Sequence, residues 1–311
     1  MKCIELNGIR SSKLALGLMR IYDKPIDNTD RLIRASLDIG VNFLDIADIY
    51  GGGECERILG KLYKSDKTLR ERTVLQTKCG IASGMYDLSY THIIEAVNGS
   101  LARMNADYVD ILLLHRPDAL MRPEEIARAF DELEQSGKVR AFGVSNFSAA
   151  QIDFLQTYVK QKLCADQMQL SATYCPLIEY GITVNTPGAC DKAGGTLEYC
   201  RKNGITLQAY GPMQCAFTAD DGSTFRGAFT SEKGRKKYFA LNFLLEGLAQ
   251  KYGTKPDAVA LAWILSHPAN MQAVVGTTNA ERMKSYADCC EIPLTPYEWY
   301  RIYETAGHNI P

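Results

Sequence analysis

The chain has 311 residues, 46% hydrophobic and 23% charged, which is ample material for a large core. A formal net charge of -1 leaves no global field to recruit nucleic acid or an acidic membrane surface. No apolar run approaches the roughly 18 to 20 residues of a membrane span, and the opening stretch, broken by Glu5, Asn7 and Arg10, lacks a signal peptide's apolar segment, so a cytoplasmic protein is expected.

In chain order, Cys3 to Leu6 and Arg10 to Leu14 read as a hairpin turning at Asn7-Gly8. Leu14 to Leu18 follows as a first barrel strand. Asp27 to Asp30 supply cap chemistry for a helix with Leu32, Ile33, Ser36 and Leu37 on one face, and Gly40 ends it. The same unit then recurs. Strand 42–46 precedes helix 54–64, strand 73–78 helix 89–104, strand 109–114 helix 123–136, and strand 139–144 helix 148–159. Strand 164–170 precedes helix 195–203, strand 206–210 helix 239–252, and strand 271–275 helix 279–289. Each strand is a short apolar run, as expected when both faces are buried.

With the first strand the alternation reaches eight, which predicts a single α/β domain over residues 1–311: a (β/α)8 TIM barrel with an N-terminal β-hairpin and extra helices. Three pieces fall outside the repeat. These are an irregular connection at 171–193, a long polar segment at 214–238, and an extra helix at 256–266. Long insertions on a barrel are commonly lids or binding loops. The ten cysteines include no C-x-x-C pair, and with four histidines no metal site is expected.

Polar residues at the strand ends carry the chemistry. Asn42 to Tyr50, NFLDIADIY, begins as a strand and runs into Gly51-Gly52-Gly53, which places Asp45 near the strand exit and Tyr50 in the loop. Lys78 ends the next strand, where an unpaired ammonium is costly to bury and Asp45 is the neighbouring carboxylate. His115 ends the run Ile111 to Leu114. Taken singly, each has an ordinary structural explanation; their convergence on one end of a barrel argues for catalysis. A phenol with an unperturbed pKa of about 10 is a weak acid at neutral pH, and a nearby ammonium would favour its phenolate. A neutral His115 could orient a substrate carbonyl.

The string NFLDIADIY resembles the aldo-keto reductase motif, and Asp45, Tyr50, Lys78 and His115 match that family's catalytic tetrad in order. The resemblance extends to Gly143-Val144-Ser145-Asn146-Phe147, whose Ser145 and Asn146 it implies as nicotinamide carboxamide contacts, with Gln167 sharing that role. Tyr210, in Tyr210-Gly211-Pro212-Met213, matches an aromatic residue that stacks on the nicotinamide. Gly276, Thr277, Thr278 and Arg282 resemble the segment that binds the adenosine 2′-phosphate. Gly17, Met19, Arg20 and Asp45 complete the cofactor contacts implied. Two positions depart from the pattern: Tyr286 stands where an adenine-contacting asparagine is usual, and Gly211 replaces a serine. The closing stretch Trp299 to Pro311 resembles a bacterial oxidoreductase subgroup.

The resemblance implies an NADPH-dependent reductase of aldehydes or ketones, with a small-molecule carbonyl substrate as partner. Two other functions fit parts of the sequence: a Schiff-base lyase with Lys78 as nucleophile, and an NADPH-binding barrel with little turnover, akin to channel subunits. Tyr22, Asp48, Arg116, Phe147, Tyr174 and Met213 are candidate pocket residues, a mixed set that singles out no ligand class or oligomeric state.

Overall fold

The computed structural model describes residues 1–189, 194–213 and 236–311. Strands β1 (Cys3–Leu6) and β2 (Ile9–Ser12) pair antiparallel around Asn7 and Gly8, both at positive φ. That conformation suits the right-handed twist of a two-residue hairpin, and asparagine and glycine tolerate it. Strands β3 (Leu14–Gly17), β4 (Phe43–Asp45), β5 (Val74–Cys79), β6 (Ile81–Ala82), β7 (Met85–Tyr86) and β8 (Val109–Leu114) follow. The remainder are β9 (Val139–Ser145), β10 (Leu163–Gln169), β11 (Thr206–Tyr210) and β12 (Gln272–Val275). β3, β4, β5, β8, β9, β10, β11 and β12 close in that order into a parallel barrel, which is the expected (β/α)8 architecture.

Period-two alternation sorts the strand side chains between two apolar clusters. Ala15, Phe43, Val74, Ile111, Leu113 and Ala165 gather inside with Ile4 and Leu6 of the hairpin, which plugs the barrel floor. Leu16, Leu44, Leu75, Leu112 and Val144 belong to the larger layer between barrel wall and helices. Helix Glu54–Ser65 crosses the end of helix Tyr90–Met104 so closely that a Cβ on Gly60 would lie 2.1 Å from the Arg103 carbonyl oxygen. Only glycine fits there.

Several elements differ from the sequence expectation. The first helix, Ile26–Asp38, starts behind Pro25 with no side-chain cap, so Asp27 lies in the first turn and not at the cap. The connection expected to be irregular at 171–193 contains helix Pro176–Thr183, with its proline at the helix start. The helix expected over 279–289 ends at Lys284, and turns carry the chain to 290. The β6–β7 hairpin and the short helix Lys67–Glu71 had no clear sequence signal, and the closing stretch holds helix Pro296–Thr305 with a Thr295–Glu298 capping box. Of the segment 214–238, residues 214–235 lie outside those described.

Candidate active site

Backbone pairing continues beyond the end of β4. Ile46 N–H donates to the Gln76 carbonyl at 2.9 Å and Asp48 N–H to the Lys78 carbonyl at 3.1 Å, which holds the loop on β5. Tyr50–Gly53 then forms a tight turn whose Gly51, Gly52 and Gly53 are all at positive φ. A Cβ on Gly51 would fall 2.4 Å from the Tyr22 Cβ, so both conformation and space require glycine. The tight turn returns Tyr50 over the end of β5.

There the four expected catalytic residues meet. Lys78 Nζ, fully buried, donates to Asp45 Oδ2 at 2.8 Å, to the Ile46 carbonyl at 2.9 Å and to the Tyr50 hydroxyl at 3.2 Å. All three ammonium hydrogens thus have an acceptor, which is what makes burial of this charge tolerable. The His115 ring stands edge-on to Tyr50, centroids 5.8 Å apart, and its buried Nδ1 has no hydrogen-bond partner among the described residues.

Asp45 receives more than the lysine. Gln76 Nε2 donates to its Oδ1 at 2.6 Å and Gln167 Nε2 to the same oxygen at 2.9 Å. These amides begin a chain through the barrel interior. Gln76 Nε2 and Gln167 Nε2 also donate to Gln208 Oε1, at 2.9 and 3.1 Å. Gln208 Nε2 donates to Gln76 Oε1 at 3.0 Å and to Gln272 Oε1 at 2.8 Å. Gln272 Nε2 ends the chain on Ser11 Oγ at 3.0 Å and the Ser12 carbonyl at 2.7 Å. Sequence reasoning missed Gln76, Gln208 and Gln272. Gln76 is in phase with Lys78 and Gln208 with Tyr210, so period two alone would have turned them inward.

The electrostatics follow from this packing. Burial disfavours the Lys78 ammonium, but Asp45 and Tyr50 outweigh it and the pKa is raised. Burial also raises the Tyr50 phenol, and Lys78 offsets this only in part. The sequence expectation of a lowered phenol pKa is therefore corrected: the lysine's influence has the expected sign, but desolvation is larger. His115 is pushed down to about 2 by burial first, then by Lys78 and Arg116, so its imidazole is neutral at physiological pH. Asp48 is raised to about 7, by burial and then by Glu56, and its buried Oδ1 has no partner among the described residues.

The residues matched to cofactor contacts flank this cluster. Gly17 pairs in register with Asp45 at the β3 exit, and Met19 and Arg20 follow it, partly buried. Ser145 Oγ donates to the Gln167 carbonyl at 2.8 Å, and Asn146, at φ 63°, donates from Nδ2 to Ser145 Oγ at 2.9 Å. Tyr210, partly exposed, donates its hydroxyl to Asn146 Oδ1 at 2.9 Å, which fixes the ring at the mouth. Gly211 at φ 61° turns the chain away, and Pro212 and Met213 after it are buried.

At the β12 exit Gly276 is exposed, Thr277 is buried and Thr278 partly so; Thr277 Oγ1 accepts from the Asn279 N–H at 3.2 Å. The Arg282 guanidinium has no hydrogen bond or ion pair among the described residues, and its backbone N–H donates to the Asn279 cap at 2.9 Å. Tyr286, at the departure from the family pattern, is buried with its hydroxyl 3.4 Å from Asp257, packed into the core and not offered at the surface. Phe147, expected in the pocket, is likewise fully buried in the layer between wall and helices.

The match to known proteins spans the molecule. The family model described as the aldo/keto reductase family matches residues 13–306. A 6-dehydroglucose reductase of Novosphingobium aromaticivorans is 32% identical, over 98% of this chain and 95% of that protein. The uncharacterized oxidoreductase YcsN of Bacillus subtilis is 33% identical over 97% of each chain. The solved structure of glycerol dehydrogenase AKR11B4 from Gluconobacter oxydans superposes with a TM-score of 0.78 at 26% identity, covering 97% of this chain and 94% of that one. With the family model reaching from the first barrel strand to the last helix, this chain belongs to the aldo/keto reductase family.

Proposed function

We propose that the protein reduces the carbonyl of a small aldehyde or ketone to an alcohol with NADPH, Tyr50 giving the proton. The observation that carries the reading is the hydrogen bond from Lys78 to the Tyr50 hydroxyl, with Asp45 behind the lysine and a neutral His115 beside the phenol. The cradle fits a nicotinamide dinucleotide: Tyr210 presents a ring fixed through Asn146, and Arg282 offers a guanidinium with no partner among the described residues. Bound there, the reduced nicotinamide supplies the hydride.

The chain's own groups do the rest. Tyr50 remains protonated at neutral pH because burial holds its pKa up. Lys78 favours the phenolate left after proton transfer, a charge that otherwise has no compensation at that depth. His115, held neutral at physiological pH by its burial, acts by hydrogen bonding and position and not as an acid. Ser145 and Asn146, tied to each other and to the Gln167 and His115 carbonyls, hold the loop after β9 against this cluster.

A Schiff-base role for Lys78 is opposed by the same contacts, since a nucleophilic amine must be neutral and Lys78 is held charged by a carboxylate. For substrate class, relatives that include 6-dehydroglucose reductases and a glycerol dehydrogenase favour polyhydroxylated carbonyl compounds. The test is a panel of sugar aldehydes, ketones and quinones offered with NADPH and NADH, using wild type and Tyr50→Phe. Reduction should fall by about 100-fold or more in the variant while NADPH still binds. Near-normal turnover would remove Tyr50 from the mechanism. Arg282→Ala should raise the KM for NADPH and leave that for NADH nearly unchanged; an equal rise for both would place Arg282 on a shared part of the cofactor.

A further inference from the structure

A second chemically distinctive cluster lies at the other end of the barrel. Cys289 and Cys290 are adjacent in sequence, and neighbouring side chains ordinarily diverge. Here the turn after helix Ala280–Lys284 brings both thiols to the same side, with their Sγ atoms 4.0 Å apart. The Met1 thioether closes on the second of them, its Sδ 3.4 Å from Cys290 Sγ. Met1 packs against Gly40, just before β4 begins, so the three sulfurs sit at the N-terminal ends of the strands, away from Tyr50.

We propose that Met1, Cys289 and Cys290 form a binding site for copper(I). Two thiolates and a thioether are soft donors, and such sets select a soft, low-coordinate cation. Sulfur ligands about 2.3 Å from one ion and spread in a plane lie about 4 Å from each other, which is the thiol–thiol spacing found. Zinc would be less well served, since a structural zinc site is normally completed by four donors from cysteine, histidine or carboxylate.

The charge balance is also met. Binding releases two thiol protons to solvent and transfers no electron, leaving a complex of one negative charge. Lys2, whose Nζ donates to the Cys290 carbonyl at 2.8 Å, and Lys13, a positive neighbour of the Cys290 sulfur, lie beside that charge. Cys290 is partly exposed and gives access, while Cys289 is buried.

The contrasting cluster is Cys175, Glu179 and His308, whose ligand atoms also converge. There both imidazole nitrogens are already engaged, Nδ1 with Glu179 at 2.8 Å and Nε2 with the Ala172 carbonyl at 2.8 Å. That arrangement clamps the C-terminal segment and leaves no ring nitrogen for an ion. Among the described residues, the sulfur cluster has no such competing carboxylate or carbonyl on its donor atoms.

The test is an anaerobic titration of the reduced full-length protein against copper(I) held by bicinchoninate. Wild type should strip one equivalent per chain, and X-ray absorption should show only sulfur bound to copper. Cys289→Ala and Cys290→Ser should each weaken binding by more than about 100-fold, beyond the loss typical of a group that merely orients a ligand. Cys3→Ser, removing another exposed thiol, should bind as wild type does, and circular dichroism checks that each variant is folded. Failure of wild type to take copper from the chelator, or undiminished binding in the Cys289→Ala/Cys290→Ser double variant, would overturn the proposal. Neither outcome bears on carbonyl reduction at the opposite end.

Discussion

Two of the buried carboxylates on the barrel wall, Asp45 and Asp166, live in opposite circumstances. Asp45 points inside and meets an ammonium and two amide donors within 2.9 Å. Asp166, next to Gln167 on β10, points the other way into the layer under the helices, and neither of its oxygens has a hydrogen-bond partner among the described residues. Burial pushes the Asp166 carboxyl up to about 8, and the Phe147 and Asn146 amides pull it back only in part. Equal burial therefore does not give equal chemistry. Around Asp45, donors sustain a buried charge; around Asp166, their lack leaves a neutral acid at neutral pH.

Breaking the inner arrangement has the largest expected effect. Lys78→Met should remove the charge that favours the Tyr50 phenolate and strand Asp45 as an anion, lowering kcat by about 100-fold or more. Loss of one partner of a buried pair also costs about 3–5 kcal/mol of stability, measurable by urea unfolding. Unchanged turnover in a folded Lys78→Met protein would separate Lys78 from the chemistry.

The outer carboxylate gives the next effect, of opposite sign. Its folded pKa of about 8 lies above the 3.8 of an ordinary aspartate, so the native state holds a proton that the unfolded chain releases. Stability from this group is full below pH 4 and is lost as pH rises towards 8, by at most about 1.4 kcal/mol per pH unit. Asp166→Asn should remove that slope, so its advantage over wild type should grow between pH 4 and pH 8. Parallel stability curves for the two proteins would show Asp166 to be already paired or already charged.

The smallest effect sharpens the comparison from within. Gln76→Leu deletes one donor to Asp45 and leaves the lysine in place. A stability loss of about 1–3 kcal/mol is expected from the acceptors left without partners, with kcat lowered about tenfold and the KM for NADPH unchanged. A rise in KM alone would assign Gln76 to cofactor binding.

These contrasts also show what was legible in the sequence. The wall was, because buried parallel strands read as apolar runs, and Gly51 to Gly53 and Gly80 mark where two of them stop. The meeting of Asp45, Tyr50, Lys78 and His115 was legible for the same reason: Lys78 and His115 interrupt apolar runs at their ends. Gln76 and Gln208 were not, since an amide inside an apolar strand looks like noise until its phase with Lys78 or Tyr210 is counted. The short helix Ala280–Lys284 was over-read because Tyr286 and Cys289 continue an apolar spacing that turns, not a helix, use to bury them. Helix Pro176–Thr183 was passed over although Pro176 stands at its first position, because surrounding turn residues masked the start.

The amide chain inside the barrel has one further consequence, which concerns direction. Each glutamine can face either way, but a carboxylate has no hydrogen to return, so Asp45 compels Gln76 and Gln167 to present nitrogen. That choice forces Gln208 to offer its oxygen to both, and its nitrogen is then left to meet Gln76 and Gln272. Gln272 in turn addresses the serines of the floor hairpin. No single amide can flip without leaving two like atoms face to face, so the whole row behaves as dominoes already fallen one way. A Glu in place of any of these glutamines would add a second source of direction, and two opposed rows would have to meet somewhere inside the barrel.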